Sequence, residues 1–199
     1  MTKIKFCGLS RPCDIEAANR LRPEYIGFVF AQKSRRNVAP EKAAELKRLL
    51  APGIRAVGVF VNEAPERIAG LLDKGIIDIV QIHGNEDEAY IRQLRQLTGQ
   101  PVIQAFRIES AADLEEAERS TADLILLDSG AGTGLVFDWS LIRTLERPYV
   151  LAGGLSPENV GSAIRQLKPY AVDTSSGIET GGFKDEAKMA AFAAAVRDI

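Results

Sequence analysis

Two residues that can carry protons stand at the ends of β-prone runs in this sequence. Cys7 ends the short run at residues 3–7, and Asp128 follows the wholly apolar residues 124–127. A thiol acts as a general base when a nearby cation or dipole lowers its pKa below the usual value of about 8.5. A carboxyl group at the end of an apolar strand can have its pKa raised towards the range of a general acid. The pair indicates proton-transfer chemistry if the fold brings both side chains together.

Each candidate residue also has a plainer interpretation, which its type alone leaves open. A free cysteine is commonly a small buried hydrophobe, and an aspartate after a strand can cap a helix or anchor a loop. Arg36 is a candidate for holding a substrate carboxylate bidentately, but Arg35 competes for that role and either can be a solvated surface residue. His83 either contacts a ligand or supports its own loop. The choice depends on which of these side chains share one face of the fold.

Two stretches of small residues predict a phosphate site. Gly153 and Gly154 precede Ser156-Pro157, which has the form of a helix N-cap with proline at the first helical position, and residues 173–177 follow another apolar run. Small residues let backbone N–H groups approach an anion, and a helix N-terminus adds a favourable dipole. Either stretch alone is ordinary turn chemistry, but both after the last two strands of a barrel favour phosphate. The candidate residues for phosphate are Gly153, Gly154, Ser175, Ser176 and Gly177, and Asp173 at the end of the eighth predicted strand is a further candidate for binding the substrate.

The elements that must position these residues alternate between short β-prone runs and helical stretches. Strands are predicted at about residues 3–7, 25–30, 54–61, 77–82, 101–106, 123–128, 148–152 and 170–173. Eight strand–helix units predict a single (β/α)8 barrel domain over residues 1–199, in which the strand ends meet at one mouth. An open doubly wound sheet is the alternative, but it usually has fewer strands, and no Gly-x-Gly-x-x-Gly follows the first strand here.

Local signals give the limits of several helices. Helices are predicted to begin at Pro40, Pro65 and Pro157, and after a capping box at residues 110–113. A last helix at about residues 185–197 is predicted to bury Met189, Phe192, Ala193 and Val196. Cys13 lies in the first predicted helix, and its side chain is expected to pack in the core. Trp139 is expected to pack its own helix against the barrel wall. Gly130, Gly132 and Gly134 predict a mobile loop after the sixth strand.

The composition of the 199 residues excludes several classes of protein. A net charge of -2 gives no electrostatic case for nucleic acid or an anionic membrane, and neither a membrane span nor a signal peptide is predicted. Two cysteines and one histidine argue against a disulfide framework and a zinc site. We therefore expect a cytoplasmic protein without a zinc site and with neither nucleic acid nor a membrane as partner. Strongly apolar exposed helix faces are not obvious in the sequence, which favours a monomer over a homodimer.

Several of these segments, taken together, resemble the phosphoribosylanthranilate isomerase family of tryptophan biosynthesis. The matching segments are KFCGL (5–9), GFVF (27–30), S-x-R-x-V (34–38), VGVFVN (57–62), VQIHG (80–84), LDS (127–129), GTG (132–134), FDW (137–139), LAGGL (151–155), PENV (157–160) and D-x-SSG-x-E (173–179). Each segment alone would be weak, but the ordered series spans nearly the whole chain. The departures, Arg35, Asn37 and residues 181–182, lie at the rims of the substrate loops.

The resemblance implies a barrel of the ribulose-phosphate-binding type and an Amadori rearrangement. N-(5-phosphoribosyl)anthranilate becomes 1-(2-carboxyphenylamino)-1-deoxyribulose 5-phosphate without a metal or cofactor. By analogy Asp128 protonates the ring oxygen, Cys7 removes the proton from C2 and Arg36 takes the anthranilate carboxylate. The residues implied to contact phosphate are Gly154, Ser175, Ser176 and Gly177.

Two other functions remain as alternatives. A related isomerase of histidine biosynthesis would run the same chemistry with two aspartates, and we would expect an internal half-barrel repeat that this chain hardly shows. A non-catalytic phosphosugar-binding barrel would keep the glycine loops but would need neither Cys7 nor Asp128.

Overall fold

The computed structural model describes residues 1–128, 142, 145 and 147–199, and its strands form a closed parallel barrel. The strands are β1 (Lys3–Cys7), β2 (Tyr25–Val29), β3 (Arg55–Phe60), β4 (Ile79–Ile82), β5 (Val102–Arg107), β6 (Leu124–Asp128), β7 (Tyr149–Ala152) and β8 (Ala171–Thr174). Each strand pairs in parallel with the next, and β1 pairs with β8 to close the ring. The predicted fold class and all eight strands are confirmed.

Seven α-helices lie within the described residues. They are α1 (Pro12–Leu21), α2 (Pro40–Leu49), α3 (Pro65–Asp73), α4 (Glu88–Thr98), α5 (Ala111–Arg119), α6 (Val160–Leu167) and α7 (Glu186–Arg197). The predicted starts at Pro40 and Pro65 and the capping box at Ser110 are confirmed. In the described part of the chain, every helix is too short or too polar to cross a membrane.

The last helix starts and packs as predicted. Asp185 caps α7 by accepting hydrogen bonds from the backbone N–H groups of Ala187 and Lys188. The four predicted side chains on its inner face are buried. Between β8 and α7 lie a 3-10 turn, Ser176–Ile178, and a short antiparallel hairpin of β9 (Glu179–Thr180) and β10 (Phe183–Lys184).

The helix after β7 begins later than predicted, at Val160 rather than Pro157. The reason is the side chain of Asn159, whose Oδ1 accepts from Ser156 N at 2.8 Å and whose Nδ2 donates to Gly154 O at 2.9 Å. These bonds hold residues 156–159 in a local turn, an alternative to helix that asparagine commonly offers. The N-terminus of α6 is therefore farther from the Gly153–Gly154 loop than the sequence at Ser156 and Pro157 predicts.

The prediction that Cys13 packs in the core is wrong. Cys13 lies in α1 as expected, but its thiol is exposed. The buried face of α1 carries Asp14, Ile15, Ala17 and Ala18 instead. Asp14 takes the inward position because its carboxylate accepts hydrogen bonds from the N–H groups of Ser10 and Arg11. Residues 129–141, including Gly130, Gly132, Gly134 and Trp139, lie outside the described residues.

Alternation along the strands divides the interior into two regions. Most large apolar residues pack between the strands and the helices. Inside the barrel, a smaller apolar layer contains Val57, Ile79, Ile103, Leu126 and Val150. Because alternate residues of a strand share a face, Gln81 and Asp128 lie two positions beyond Ile79 and Leu126, above this layer. The barrel thus directs polar side chains into its carboxyl-terminal mouth.

Candidate active site

A cavity of about 330 Å³ occupies the carboxyl-terminal mouth of the barrel and brings nearly all predicted site residues together. Its lining includes residues from the ends of β1, β2, β3, β4, β6, β7 and β8. The predicted residues among them are Cys7, Arg36, His83, Asp128, Gly153, Gly154, Asp173, Ser175 and Ser176. A larger cavity of about 640 Å³ lies at the opposite end of the barrel, and none of these residues lines it.

Two glycines make room for Cys7 and the arginine beside it. A Cβ on Gly27 of the neighbouring strand would lie 2.7 Å from Cys7 Sγ, so any larger residue there would displace the thiol. Gly8 has a φ of +78°, and a Cβ there would lie 2.5 Å from Arg36 Cδ. A left-handed residue without a side chain is therefore required at the end of β1. Glycine at both positions fixes where the thiol and the guanidinium lie.

The Cys7 thiol is buried beside two ammonium groups and one carboxylate. Burial raises its pKa above the ordinary value, and this effect outweighs the opposing influence of Lys5 and Lys184, while Asp173 adds to the rise. The pKa of Cys7 is therefore shifted in the direction opposite to the one that the general-base role favours. The reason is desolvation of the charged form, an effect that the sequence does not reveal.

Lys5 is the cation closest in sequence to the thiol, and it is held almost completely inside the barrel. Its side chain is 1% exposed, Nζ donates to Asp173 Oδ1 at 2.8 Å, and its charge lowers the pKa of the Cys7 thiol. Burial alone would lower the pKa of Lys5, but Asp173 and Cys7 together hold it above its usual value. Lys5 is therefore charged at neutral pH and favours the thiolate of Cys7.

Replacing Lys5 with methionine is expected to move the ascending limb of the pH–rate profile to higher pH. A thiolate can accept a proton and a thiol cannot, so a kcat/KM that depends on this group rises as the thiol ionises. Lys5 lowers the pKa of Cys7, and its removal raises that pKa further. A displacement of about one to two pH units follows from one nearby charge at an effective dielectric constant of about 20.

Lys3→Met is the matched control for this experiment. Lys3 lies on the same strand, but its Nζ contacts Tyr170 at the other end of the barrel. Its pH profile should coincide with that of the parent protein. An unmoved ascending limb in a folded Lys5→Met protein, judged by circular dichroism and thermal melting, would show that Lys5 does not act on Cys7.

Asp128 and His83 lie side by side across the mouth from Cys7. His83 Nε2 is 3.5 Å from Asp128 Oδ2, and His83 Nδ1 is 3.4 Å from Gln81 Nε2. When the amide donates to Nδ1, the neutral imidazole carries its proton on Nε2, facing the carboxylate. The backbone of Asp128 is also fixed, because its carbonyl accepts from Ile108 N at 2.9 Å. His83 therefore contacts the candidate acid and lines the cavity.

Arg36 lines the cavity while sharing a buried carboxylate with two other cations. Its Nε and Nη2 donate to the two oxygens of Glu179 at 2.6 and 3.0 Å. Arg35 and Lys184 also bond Glu179, at 2.8 and 2.7 Å. Burial alone would raise the pKa of Glu179, but hydrogen bonds from Arg36 and Lys184 lower it below the usual value. Arg35 is 61% exposed and does not line the cavity, so the geometry favours Arg36 as the carboxylate ligand.

The loops after β7 and β8 approach each other closely. Gly153 and Gly154 have φ values of +89° and +62°, conformations that glycine adopts without strain. A Cβ on Gly177 would lie only 2.0 Å from Leu155 O, and Thr174 Oγ1 donates to the same carbonyl at 2.8 Å. Gly177 does not line the cavity, and its small size permits this packing between the loops.

The two serines of the second loop are placed differently. Ser175 Oγ donates to Cys7 O at 3.0 Å and accepts from Lys184 Nζ at 3.2 Å, so its hydroxyl joins the loop to β1. Ser176 is exposed at the cavity. The backbone of both glycines after β7 and the exposed Ser176 form the surface that faces the cavity from this side.

Four residues of the site were not predicted from the sequence: Lys5, Gln81, Glu179 and Lys184. Two of them carried a usable signal. Lys5 precedes Cys7 by two residues and Gln81 precedes His83 by two, so strand alternation places each on the same face as its neighbour. Glu179 and Lys184 follow the last barrel strand and reach the site only through the hairpin of β9 and β10.

Comparisons with known proteins agree over the whole chain. The family model described as N-(5'phosphoribosyl)anthranilate (PRA) isomerase matches residues 4–195. A relative from Caldanaerobacter subterraneus subsp. tengcongensis, named N-(5'-phosphoribosyl)anthranilate isomerase, is 44% identical over 206 residues and covers 100% of both chains.

Solved structures give the same result. A phosphoribosyl anthranilate isomerase in complex with reduced 1-(o-carboxyphenylamino)-1-deoxyribulose 5-phosphate has a TM-score of 0.90 and 37% identity, with 100% of both chains covered. Monomers generated from the dimeric enzyme of Thermotoga maritima have a TM-score of 0.88 and 36% identity, also over 100% of both chains.

Proposed function

Because the chain belongs to the N-(5'-phosphoribosyl)anthranilate isomerase family, we propose that the mouth cavity is its active site, with Cys7 as general base and Asp128 as general acid. The chain is an isomerase of tryptophan biosynthesis that interconverts an aldose and a ketose, as the resemblance predicted. The observation that supports the assignment of roles is the presence of the Cys7 thiol and the Asp128 carboxylate in a single cavity between an arginine and the glycine loops.

The rearrangement needs only proton transfers, which these two groups can supply. Asp128 gives its proton to the furanose ring oxygen, the C1–O bond breaks and the nitrogen lone pair forms an iminium at C1. The Cys7 thiolate then takes the proton from C2, and the C–H electrons form the enolamine while the C1–N bond becomes single. Tautomerisation of the enol at C2 gives the ketone. No atom is gained or lost, so general acid–base catalysis accounts for the reaction.

His83 assists Asp128 in this scheme as a hydrogen-bond donor. After Asp128 has released its proton, its carboxylate carries a full negative charge beside the cavity. An Nε2–H directed at Oδ2 stabilises that charge, and a donor within a partly desolvated site is more effective than one in water. We assign to His83 the stabilisation of the Asp128 carboxylate that remains after the proton has been released.

The two anionic groups of the substrate are assigned to opposite sides of the cavity. The phosphate faces the backbone of Gly153 and Gly154 and the loop at Ser175 and Ser176, where small residues let N–H groups approach it. The anthranilate carboxylate faces Arg36. Within the described residues, Glu179 takes Nε–H and one N–H of Nη2, which leaves both N–H groups of Nη1 and the second of Nη2 as donors for the substrate.

Replacing Arg36 with methionine is expected to raise KM about ten- to a hundredfold with a smaller change in kcat, because loss of a charge-assisted hydrogen bond weakens ground-state binding. Arg35→Met removes the same charge from the next residue and also removes one of the three cationic partners of Glu179, so it is the matched control. Its KM should stay within about twofold of the parent value. Initial rates are measured as loss of the anthranilate-type fluorescence of the substrate.

Three outcomes of this experiment have different meanings. A larger KM effect in Arg35→Met would reverse the assignment of the two arginines. Equal effects would indicate that both act only through Glu179. A parent protein without turnover would contradict the proposed function itself.

Further expectations concern the substrate, the alternative functions, the oligomeric state and the location of the protein. The partner is a small phosphosugar substrate. Neither alternative function is favoured, since the match to the family is full-length and the cavity holds both the thiol and the carboxylate. The monomeric state and the cytoplasmic location stay predictions, and the Thermotoga maritima relative is described as dimeric.

A further inference from the structure

Gln81 is a buried polar residue at the centre of the mouth that the acid–base scheme does not use. It is the third residue of β4 and is 1% exposed, yet it lines the cavity. Its Oε1 is fully buried and has no hydrogen-bond partner in the described part of the chain. The other end of the amide lies 3.4 Å from His83 Nδ1.

An orphaned carbonyl oxygen in this position is unfavourable for the free protein. Most buried side-chain polar atoms have at least one partner, and each exception calls for an explanation. The residues on the same inner face, such as Val59, Ile79 and Ile103, are apolar, so an apolar side chain would suit this layer better. Unsatisfied groups of this kind commonly occur where a ligand completes the hydrogen bond.

The chemistry of the amide restricts what it can bind. A carbonyl oxygen only accepts hydrogen bonds, so it does not favour the phosphate or carboxylate oxygens of the substrate, which also only accept when ionised. Those two groups have the glycine loops and Arg36. The donors that remain on the substrate are its sugar hydroxyls and its anilino N–H, which surround the carbon atoms that react.

We propose that Gln81 Oε1 accepts a hydrogen bond from a sugar hydroxyl or the anilino N–H of the substrate and so orients the reacting carbons between Cys7 and Asp128. This inference rests on the proposed function. The same amide holds His83 through Nε2, so one side chain links the orientation of the substrate to the group that contacts Asp128. Gln81 is thus a substrate-binding residue.

The test replaces Gln81 with methionine, which has nearly the same length and volume but no amide. We expect the affinity for reduced 1-(o-carboxyphenylamino)-1-deoxyribulose 5-phosphate, measured by calorimetric titration, to fall about tenfold. In the same protein, kcat/KM should fall about ten- to a hundredfold. The melting temperature should stay close to that of the parent, because removal of an unsatisfied buried acceptor offsets the loss of the contact between Nε2 and His83 Nδ1.

Gln104→Met is the matched control, since Gln104 is a glutamine of the adjacent strand β5 whose amide is fully used. Its Nε2 donates to Glu86 O at 2.9 Å and its Oε1 accepts from Ser120 Oγ at 2.6 Å, and it does not line the cavity. The same substitution there should lower the melting temperature and leave the affinity unchanged. A loss of affinity at Gln81 and a loss of thermal stability at Gln104 would separate a role in ligand binding from a structural role.

The possible outcomes distinguish a failure of the role of Gln81 from a failure of the proposed function. Unchanged affinity and kcat/KM in folded Gln81→Met, or a fall in melting temperature like that of Gln104→Met, would overturn the role of Gln81 alone. If Gln81→Met does not fold, Gln81→Leu provides the second apolar replacement, and failure of both to fold would also count against the proposal. A parent protein that neither binds the reduced product nor turns over substrate would contradict the proposed function as well.

Discussion

Replacing Cys7 with serine is expected to lower kcat at least about a thousandfold while the barrel stays folded. General bases contribute about 10²- to 10⁴-fold, and a serine hydroxyl ionises far less readily than a thiol, so it cannot take the proton from C2. The substitution keeps the volume next to Gly27 nearly constant, so the packing of β1 against β2 is preserved. Single-turnover measurements with the fluorescent substrate give the rate, and circular dichroism checks the fold.

The exposed cysteine provides the control for this experiment. Cys13→Ser removes the other thiol of the chain from the surface of α1 and should leave kcat and KM unchanged. The parent protein should also become more active as the pH rises from neutrality, because burial keeps the Cys7 thiol protonated until above its ordinary pKa. Wild-type turnover in Cys7→Ser would end the assignment of this residue as the base.

Replacing Asp128 with asparagine is expected to lower kcat by a similar factor of about a thousand or more. The amide has almost the same shape, but it has no ionisable proton for the ring oxygen. The contact with His83 Nε2 can persist through the amide oxygen, so the surrounding geometry is kept. The loss should appear in kcat more than in KM, since protonation is required in the transition state rather than for binding.

Asp123→Asn is a suitable control because Asp123 immediately precedes the same strand. Its carboxylate accepts from Val102 N at 2.9 Å and pairs with Arg95, and these bonds hold its pKa below the usual value in spite of burial. That substitution should lower the melting temperature slightly and leave kcat within about twofold of the parent. If Asp123→Asn lost as much activity as Asp128→Asn, the loss would reflect a general disturbance of β6, and the assignment of Asp128 as the acid would not hold.

The fold and the position of Cys7 and Asp128 at one mouth were predictable because they depend on local patterns. Runs of β-prone residues at regular spacing define the strands, and barrel topology then brings every strand end to one mouth. Cys7, Asp128 and His83 could be placed there without knowledge of any contact. The start of α6 was missed because one side chain, Asn159, satisfies the backbone before the helix begins.

The electrostatic environment could not be predicted in the same way. The ion pairs of Arg35 and Arg36 with Glu179 join residues that are 144 and 143 positions apart, and no local pattern indicates them. The direction of the pKa shift of Cys7 depends on a balance between desolvation and two cations from different elements. Residue type gives the chemistry that is available, whereas burial decides the protonation state.

The closure of the barrel through Lys5 and Asp173 has a consequence for the protein while it is being synthesised on the ribosome. The two partners are 168 residues apart in the chain, so a ribosome makes the lysine and the thiol long before the carboxylate. Until β8 has been made and has paired with β1, the nascent chain carries Cys7 as an ordinary solvated thiol, open to oxidation and alkylation. Completion of the chain buries the thiol, raises its pKa and so protects it from both reactions.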